Sequence, residues 1–123
     1  MIGYITLGTN DLPRAVAFYD ELMKEFNIGR LMQDEKFVAW GESMESPGFS
    51  VTEPFDGKPA SVGNGVMIAL SAENQDQVKA VYNKAIELGA TDEGEPGPRG
   101  DGAFYCGYFR DLDGNKLNVF CVG

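Results

Sequence analysis

An internal repeat with a period of 63 residues constrains the fold of this chain more than any other feature of its sequence. Core positions agree at this spacing across a predicted strand and the helix that follows it. The matching pairs are Tyr4 and Met67, Ile5 and Ile68, Leu7 and Leu70, Ala17 and Ala80, and Tyr19 and Tyr82. Agreement at both strand and helix positions indicates that one structural unit occurs twice.

The first unit has the pattern of a strand, a helix and three further strands. Residues 3–8 alternate between apolar and polar positions, as in a half-buried strand. Asn10 or Asp11 can cap the next helix, and Pro13 sits in its first turn, where a missing N–H is tolerated. Runs of apolar residues then predict short strands over residues 29–33, 36–41 and 49–52.

The second unit repeats this order. A strand over residues 66–70 is followed by a helix over 73–88, which Gly89 should end, and then by a strand over 90–93. Residues 95–102, rich in Gly and Pro, are predicted to form a loop. The closing hairpin spans 105–120, and Asp113-Gly114 is typical of a two-residue type I′ turn.

These elements predict an α+β fold of two βαβββ modules. Module 1 covers about residues 1–55 and module 2 about residues 64–123 of a single domain. Because strand side chains alternate, one face of each sheet should pack under its helix and the other should be free of it.

Composition excludes several classes of function. The chain has no histidine, the commonest catalytic base near neutral pH and a frequent metal ligand. A net charge of −9 argues against nucleic-acid partners and favours neutral or cationic small molecules. The two cysteines, Cys106 and Cys121, do not form a CxxC pair and are expected to be reduced packing residues. No cofactor is expected.

The chain lacks the signals of membrane insertion and secretion. No apolar run approaches the ~20 residues of a membrane span, and the N-terminus has no basic start followed by an apolar stretch. A cytoplasmic location without membrane contact is therefore expected.

Four stretches together give the chain a resemblance to a known superfamily. They are the opening YITLGTNDLPRAVAFY, residues 54–65, the segment EGEPGPRG at 93–100, and RDLDGNKLN at 110–118. In these stretches the chain resembles the vicinal oxygen chelate superfamily, which includes glyoxalases, ring-cleaving dioxygenases and bleomycin-resistance proteins. The resemblance covers nearly the whole chain. It implies that the two βαβββ modules form a curved mixed sheet with a cleft, and that the protein is a homodimer.

Metal-dependent members of that superfamily hold a divalent ion with residues of the first and last strands. Carried across by the resemblance, the first-strand His position falls on Tyr4, its counterpart on Met67, and the closing Glu on Asn118. A fourth position lies near Ser50. A phenol, a thioether and an amide bind such ions far more weakly than imidazole and carboxylate. No metal site is therefore predicted.

A cleft can remain without its metal. Met67 and Phe120 either fill it or touch a ligand, and a buried Asn118 amide needs a ligand, a water or the Tyr4 hydroxyl as its partner. Aromatic walls with a polar tip also suit small molecules. The predicted ligand-binding residues are Tyr4, Thr6, Trp40, Ser50, Met67, Tyr105, Asn118 and Phe120.

Three functions are compatible with these residues. The first is metal-independent binding of a small cationic or aromatic molecule, as in bleomycin-resistance proteins. The second is a lyase or isomerase of the glyoxalase type with a non-standard active site, in which Tyr4, Tyr105 or Glu53 would act as acid or base. The third is a structural or regulatory subunit with a closed cleft. The catalytic residues of an enzyme are not assigned by the sequence.

Overall fold

The computed structural model describes residues 1–123 and divides into two compact units. Unit 1 comprises Met1–Val62 and unit 2 comprises Gly63–Gly123. Each unit contains one helix and one four-stranded sheet. The α+β fold of two βαβββ modules, predicted from the repeat, is confirmed.

Unit 1 begins with β1 (Tyr4–Gly8) and α1 (Leu12–Lys24), followed by β2 (Gly29–Gln33), β3 (Phe37–Gly41) and β4 (Gly48–Thr52). Asp11 caps α1 by accepting a hydrogen bond from the Arg14 N–H at 3.1 Å. One face of α1 is buried against the sheet through Leu12, Ala15, Phe18, Tyr19, Leu22 and Met23. The spacing of these residues gives a continuous apolar stripe on one side of the helix.

The unit 1 sheet has the strand order β1-β4-β3-β2. Strand β1 pairs parallel with β4, and the other two pairings are antiparallel. The register sets Thr6 beside Ser50 and Ser50 beside Ala39, so these three residues share one face.

Unit 2 repeats this topology with β5 (Ile68–Ser71), α2 (Gln75–Glu87), β6 (Thr91–Arg99), β7 (Phe104–Arg110) and β8 (Lys116–Val122). The strand order is β5-β8-β7-β6, with β5 parallel to β8. Asn74 caps α2, and Gly89 follows its end with a φ of 107°, which glycine adopts readily. The predicted stop at Gly89 is confirmed.

Strand β6 is longer than predicted and includes most of the segment expected to be a loop. Pro98 pairs with Tyr105 and Arg99 with Phe104, so the Gly/Pro-rich stretch forms the edge of the sheet. An edge strand tolerates proline because one side of its backbone needs no partner. Two register shifts, between Asp92 and Gly94 and between Gly94 and Gly97, accommodate the extra residues as bulges.

The turn of the closing hairpin is also different from the prediction. Strand β7 ends at Arg110 and β8 begins at Lys116, which leaves a five-residue connection. Gly114 has a φ of 89°, but Asp113 does not have a positive φ, so a type I′ turn is excluded. The buried Asp111 carboxylate organises the loop by accepting hydrogen bonds from the backbone N–H groups of Asp113 and Asn115, both at 2.9 Å.

Neither helix has the length and apolar character needed to cross a membrane.

Candidate functional site

In each unit the sheet has one face under the helix and one helix-free face. In unit 1 the helix-covered face carries Trp40 and Phe49, whose rings lie against Tyr19 of α1 at centroid distances of 5.8 and 4.7 Å. The neighbouring residues on these strands point the opposite way. The helix-free face of unit 1 therefore carries Tyr4, Thr6, Ala39 and Ser50.

A cavity of about 250 Å³ opens on the helix-free face of unit 1. Its lining is almost entirely apolar and contains no charged residue, and all four strands of the unit contribute to it or flank it. The lining residues are Gly3, Tyr4, Leu31, Met32, Phe37, Ala39, Ser43, Met44, Ser46 and Gly48. Tyr4 and Met44 are 68% and 71% exposed, so two large apolar side chains stand in solvent at this cavity.

A bulge in β2 shapes one wall of the cavity. Arg30 pairs with Trp40, whereas Met32 pairs with Ala39, so the register shifts by one residue around Leu31. The extra residue lets both Leu31 and Met32 line the cavity. Gly41 makes room for this arrangement, because a Cβ there would lie 2.6 Å from Leu31 Cδ1.

Two hydroxyl groups lie together beside the cavity wall. Thr6 Oγ1 and Ser50 Oγ are 2.9 Å apart, and Ser50 donates a hydrogen bond to the Ile5 carbonyl at 2.7 Å. Ser50 is completely buried. Its only proton is directed to that carbonyl, so Ser50 acts as an acceptor toward Thr6 and helps to fix β4 against β1.

Trp40, which the sequence placed among the cleft residues, lies instead on the helix-covered face. It is 1% exposed, and its indole N–H donates to Asp20 Oδ1 at 2.9 Å. Arg30 donates two hydrogen bonds to the same carboxylate, at 2.9 and 2.6 Å. The hydrogen bond from Arg30 lowers the pKa of Asp20, and the bond from Trp40 adds to this effect against the opposing effect of burial.

In unit 2 the helix-covered face includes Tyr105, which the sequence also assigned to the cleft. Tyr105 is buried and lies within 6.0 Å of the Lys79 ammonium of α2, measured to the ring centroid. Gly107 is two residues further along β7 on the same face, and a Cβ there would touch the Tyr82 ring of α2. Both aromatic strand positions were assigned from residue type, which does not reveal the face.

The helix-free face of unit 2 carries Asn118 and Phe120, as predicted from the alternation of β8. Asn118 pairs with Tyr108 across the strands and with Ala69 on its other side. The Phe120 ring stacks on Phe104 with centroids 5.2 Å apart. Met67 lies just before β5 and is 38% exposed. Whether these residues touch a ligand remains a prediction.

Asn118 is the most unusual polar residue of this face. It is 2% exposed, and its Oδ1 atom has no hydrogen-bond partner. Tyr108, the cross-strand neighbour of Asn118, and Cys106, two residues before it on β7, lie on the same face. The pKa of the Tyr108 phenol is raised, first by the hydrogen bond with Cys106 and then by burial, while the Asn118 amide and Arg99 act in the opposite direction.

The residues that the resemblance places at the metal-ligand positions of the superfamily do not fit a divalent ion. Tyr4, Met67 and Asn118 offer a phenol, a thioether and an amide, and Ser50 already bonds to the Ile5 carbonyl. No group of three or more His, Cys, Asp or Glu side chains is arranged to hold an ion. These donors favour neither zinc nor the other borderline ions that such sites bind.

Several residues of these two faces could not be assigned from the sequence. Leu31 and Met32 line the cavity because of the bulge in β2, and no Gly or Pro within the strand marks that bulge in the sequence. Met44 lines the cavity from a polar loop. Arg99 reaches Tyr108 from the segment predicted to be a loop, with its guanidinium 5.6 Å from the ring centroid. Alternation along β7 places Tyr108 on one face of the strand. Only the register between β7 and β8 shows that Tyr108 is the neighbour of Asn118.

Comparison with known proteins agrees with this architecture. A family model described as the Glyoxalase/Bleomycin resistance protein/Dioxygenase superfamily matches residues 1–119. A glyoxalase/bleomycin resistance protein from Albidiferax ferrireducens is 31% identical, with a TM-score of 0.91 over 100% of this chain and 99% of that chain. A comparison with curated proteins finds no significant match.

More distant structures share the fold. A glyoxalase/bleomycin resistance protein/dioxygenase family enzyme from Burkholderia phytofirmans is 16% identical, with a TM-score of 0.78 over 98% of both chains. A lactoylglutathione lyase from Agrobacterium tumefaciens is 21% identical, with a TM-score of 0.71 over 98% of this chain and 92% of that chain. At these identities the likeness concerns the fold alone. The repeat, the topology and the family match together show that this chain belongs to the glyoxalase/bleomycin resistance protein/dioxygenase superfamily, the vicinal oxygen chelate superfamily.

Proposed function

We propose that this chain binds a small aromatic molecule in the apolar cavity of unit 1, without a metal ion, and so acts by sequestration. The observation that carries the proposal is the cavity itself, about 250 Å³ in volume and lined by Tyr4, Met32, Phe37 and Met44. This volume lies just below the usual range of ligand pockets, about 300–1,000 Å³, and suits one aromatic ring with short substituents. Apolar and aromatic walls supply the contacts that bury such a ring.

The electrostatics favour a neutral or cationic ligand over an anionic one. The cavity lining contains no charged side chain, and the chain carries a net charge of −9. An anion that enters the cavity would lose its hydration without gaining a polar partner, which costs free energy. The negative net charge of the protein would repel it as well. A cation would gain from the aromatic faces of Tyr4 and Phe37, which attract positive charge.

Calorimetric titration with three probes of similar size tests the proposal. Benzyl alcohol is neutral, benzyltrimethylammonium is cationic and benzoate is anionic, and a bleomycin-type glycopeptide serves as a larger cationic probe. We expect the neutral and cationic ring compounds to bind to wild-type protein.

We expect Ala39→Leu to lower the affinity for these two compounds about tenfold, because the larger side chain fills the cavity. The repeat includes Ala17 among its core positions, but the structure leaves Ala17 exposed on α1. Ala17→Leu therefore adds the same atoms outside the cavity and is the matched control. Binding that Ala39→Leu leaves unchanged, or a folded protein that binds none of the probes, would contradict the proposal. Turnover of a bound compound would instead favour an enzyme.

We also propose that the chain works as a homodimer, as its superfamily resemblance implies. The exposed apolar side chains of unit 1, among them Ile2, Tyr4, Met32 and Met44, are the kind of surface that a partner subunit covers. Light scattering of the purified protein measures its mass directly.

A further inference from the structure

The helix-free face of unit 2 holds a buried hydrogen-bond acceptor that the protein leaves unused. Asn118 is buried, and its Oδ1 atom has no partner. Buried side-chain oxygens are nearly always hydrogen-bonded, because water that is lost must be replaced by another donor. An unused acceptor on a well-formed strand therefore points to a donor that comes from a ligand.

The strand pairing places the amide between two neighbours. Asn118 pairs with Tyr108 of β7 and with Ala69 of β5, so its side chain lies between these residues on the helix-free face. Asn118 also acts to lower the pKa of the Tyr108 phenol, against the larger raising effects of Cys106 and of burial, which agrees with a side-chain contact between the two residues.

Two cations lie beside the same phenol ring. The Arg99 guanidinium and the Lys116 ammonium are 5.6 and 5.4 Å from the Tyr108 ring centroid. Neither forms an ion pair with a carboxylate, and Arg99 donates instead to the backbone carbonyls of Glu95 and Gly97. Acidic residues outnumber basic ones by 19 to 10, so two cations beside one ring without an acidic partner are unusual, and they favour the binding of an anion near them.

An aromatic surface lies on the other side of Asn118. Lys116, Asn118 and Phe120 follow one another on the same face of β8 at two-residue spacing, which is about 6–7 Å per step. Phe120 stacks on Phe104. Ala69, the neighbour of Asn118 on β5, is exposed, so the surface beside the buried amide is open to solvent on the β5 side.

We infer that this face of unit 2 binds a small N-acylated amino acid with an aromatic acyl group. The carboxylate would pair with Lys116 and Arg99, the amide N–H would donate to Asn118 Oδ1, and the ring would lie on Phe120. The order of these three groups in such a molecule matches the order of the three side chains along β8. This inference involves no residue of the unit 1 cavity and does not rest on the function proposed for it.

The test compares hippurate with O-benzoylglycolate, the ester in which oxygen replaces the amide N–H. Calorimetric titration of wild-type protein is expected to give about tenfold weaker binding for the ester, because only the amide can donate to Asn118 Oδ1. Asn118→Leu, which keeps the side-chain size, should reduce hippurate affinity to that of the ester. The two compounds should then bind equally.

A second variant keeps the test decisive if Asn118→Leu does not fold. Lys116→Gln should weaken hippurate binding about fivefold or more and reduce its dependence on salt. Lys36→Gln removes an exposed lysine from unit 1 and should leave hippurate binding unchanged. Ala39→Leu should also leave it unchanged, which separates this site from the cavity of unit 1.

Three outcomes would overturn the inference. Wild-type protein could fail to bind hippurate, it could bind the amide and the ester equally, or Lys116→Gln could leave hippurate affinity intact. Any of these results would mean that Asn118 Oδ1 serves a buried water or no partner at all.

Discussion

At the scale of single residues, the sequence predicts the face of Asn118 on its strand correctly but not the face of Trp40. Asn118 lies between Leu117 and Val119, both fully buried, so alternation alone placed it on the opposite face of β8. Trp40 lies on β3, where Val38 and Ala39 are both apolar and buried. Both faces of that strand are apolar, and the pattern therefore could not reveal that Trp40 lies under α1.

The Asp20 carboxylate, which accepts a hydrogen bond from Trp40, predicts how the stability of the protein depends on pH. Asp20 accepts hydrogen bonds from Trp40 and Arg30, and its pKa lies below the ordinary value of 3.8, chiefly because of Arg30. A lowered folded-state pKa stabilises the protein above the unfolded-state value, and this contribution is lost as the pH falls through the folded-state value.

We expect Asp20→Asn to lower the free energy of unfolding by about 1 kcal/mol near neutral pH, since the cluster is partly exposed. The difference between wild type and variant should disappear as the pH falls below 3.8. Urea unfolding at several pH values measures both effects, with Glu35→Gln in an exposed turn as the control. A difference that persists at low pH would show that shape, and not charge, makes the contribution.

At the scale of elements, edge strands and turns depart from sequence expectation most. A five-residue loop replaces the two-residue turn expected at Asp113-Gly114. The buried Asp111 carboxylate stabilises this loop by accepting hydrogen bonds from the backbone N–H groups of Asp113 and Asn115 and from the Asn115 side-chain amide. Strand β6 continues through Pro96 and Pro98 because only one of its edges is paired. In the loop, local hydrogen bonds to the Asp111 side chain override the preference for a two-residue turn. In β6, pairing with β7 overrides the preference of a Gly/Pro-rich segment for a loop.

The bulge of β2 gives a prediction for an element. Gly41→Ala would place a Cβ 2.6 Å from Leu31 Cδ1, and the flexible Leu31 side chain would move. Because Leu31 lines the cavity of unit 1, we expect the affinity for benzyl alcohol to change by about threefold or more with little loss of thermal stability.

Gly29→Ala is the matched control for this prediction, because a Cβ at Gly29 meets nothing within 4 Å. Calorimetric titration and thermal unfolding of both variants measure the effect. Equal binding by Gly41→Ala and wild type would show that the bulge does not shape the ligand site.

At the scale of the whole molecule, the donor set predicts a difference between this chain and metal-dependent members of its superfamily. By the sequence resemblance, the positions that correspond to metal ligands hold Tyr4, Met67 and Asn118. Weak donors cannot bind an ion tightly enough to stabilise the folded state.

We therefore expect that chelators, Zn²⁺, Ni²⁺ and Mn²⁺ each shift the midpoint of thermal unfolding by less than about 1 °C. Differential scanning calorimetry measures the midpoint, and elemental analysis of dialysed protein checks it independently. One retained divalent ion per chain would contradict the assignment of these positions.

The sequence by itself determined the repeat, the two βαβββ modules and the face of Asn118. These follow from alternation, from spacing and from the chemistry of single side chains, which are local properties. Only the tertiary structure decided the side on which Trp40 and Tyr105 lie, the bulge that brings Leu31 to the cavity, and the meeting of Arg99 and Lys116 at Tyr108. Register between strands sets these contacts, and register depends on partners that are distant in the chain.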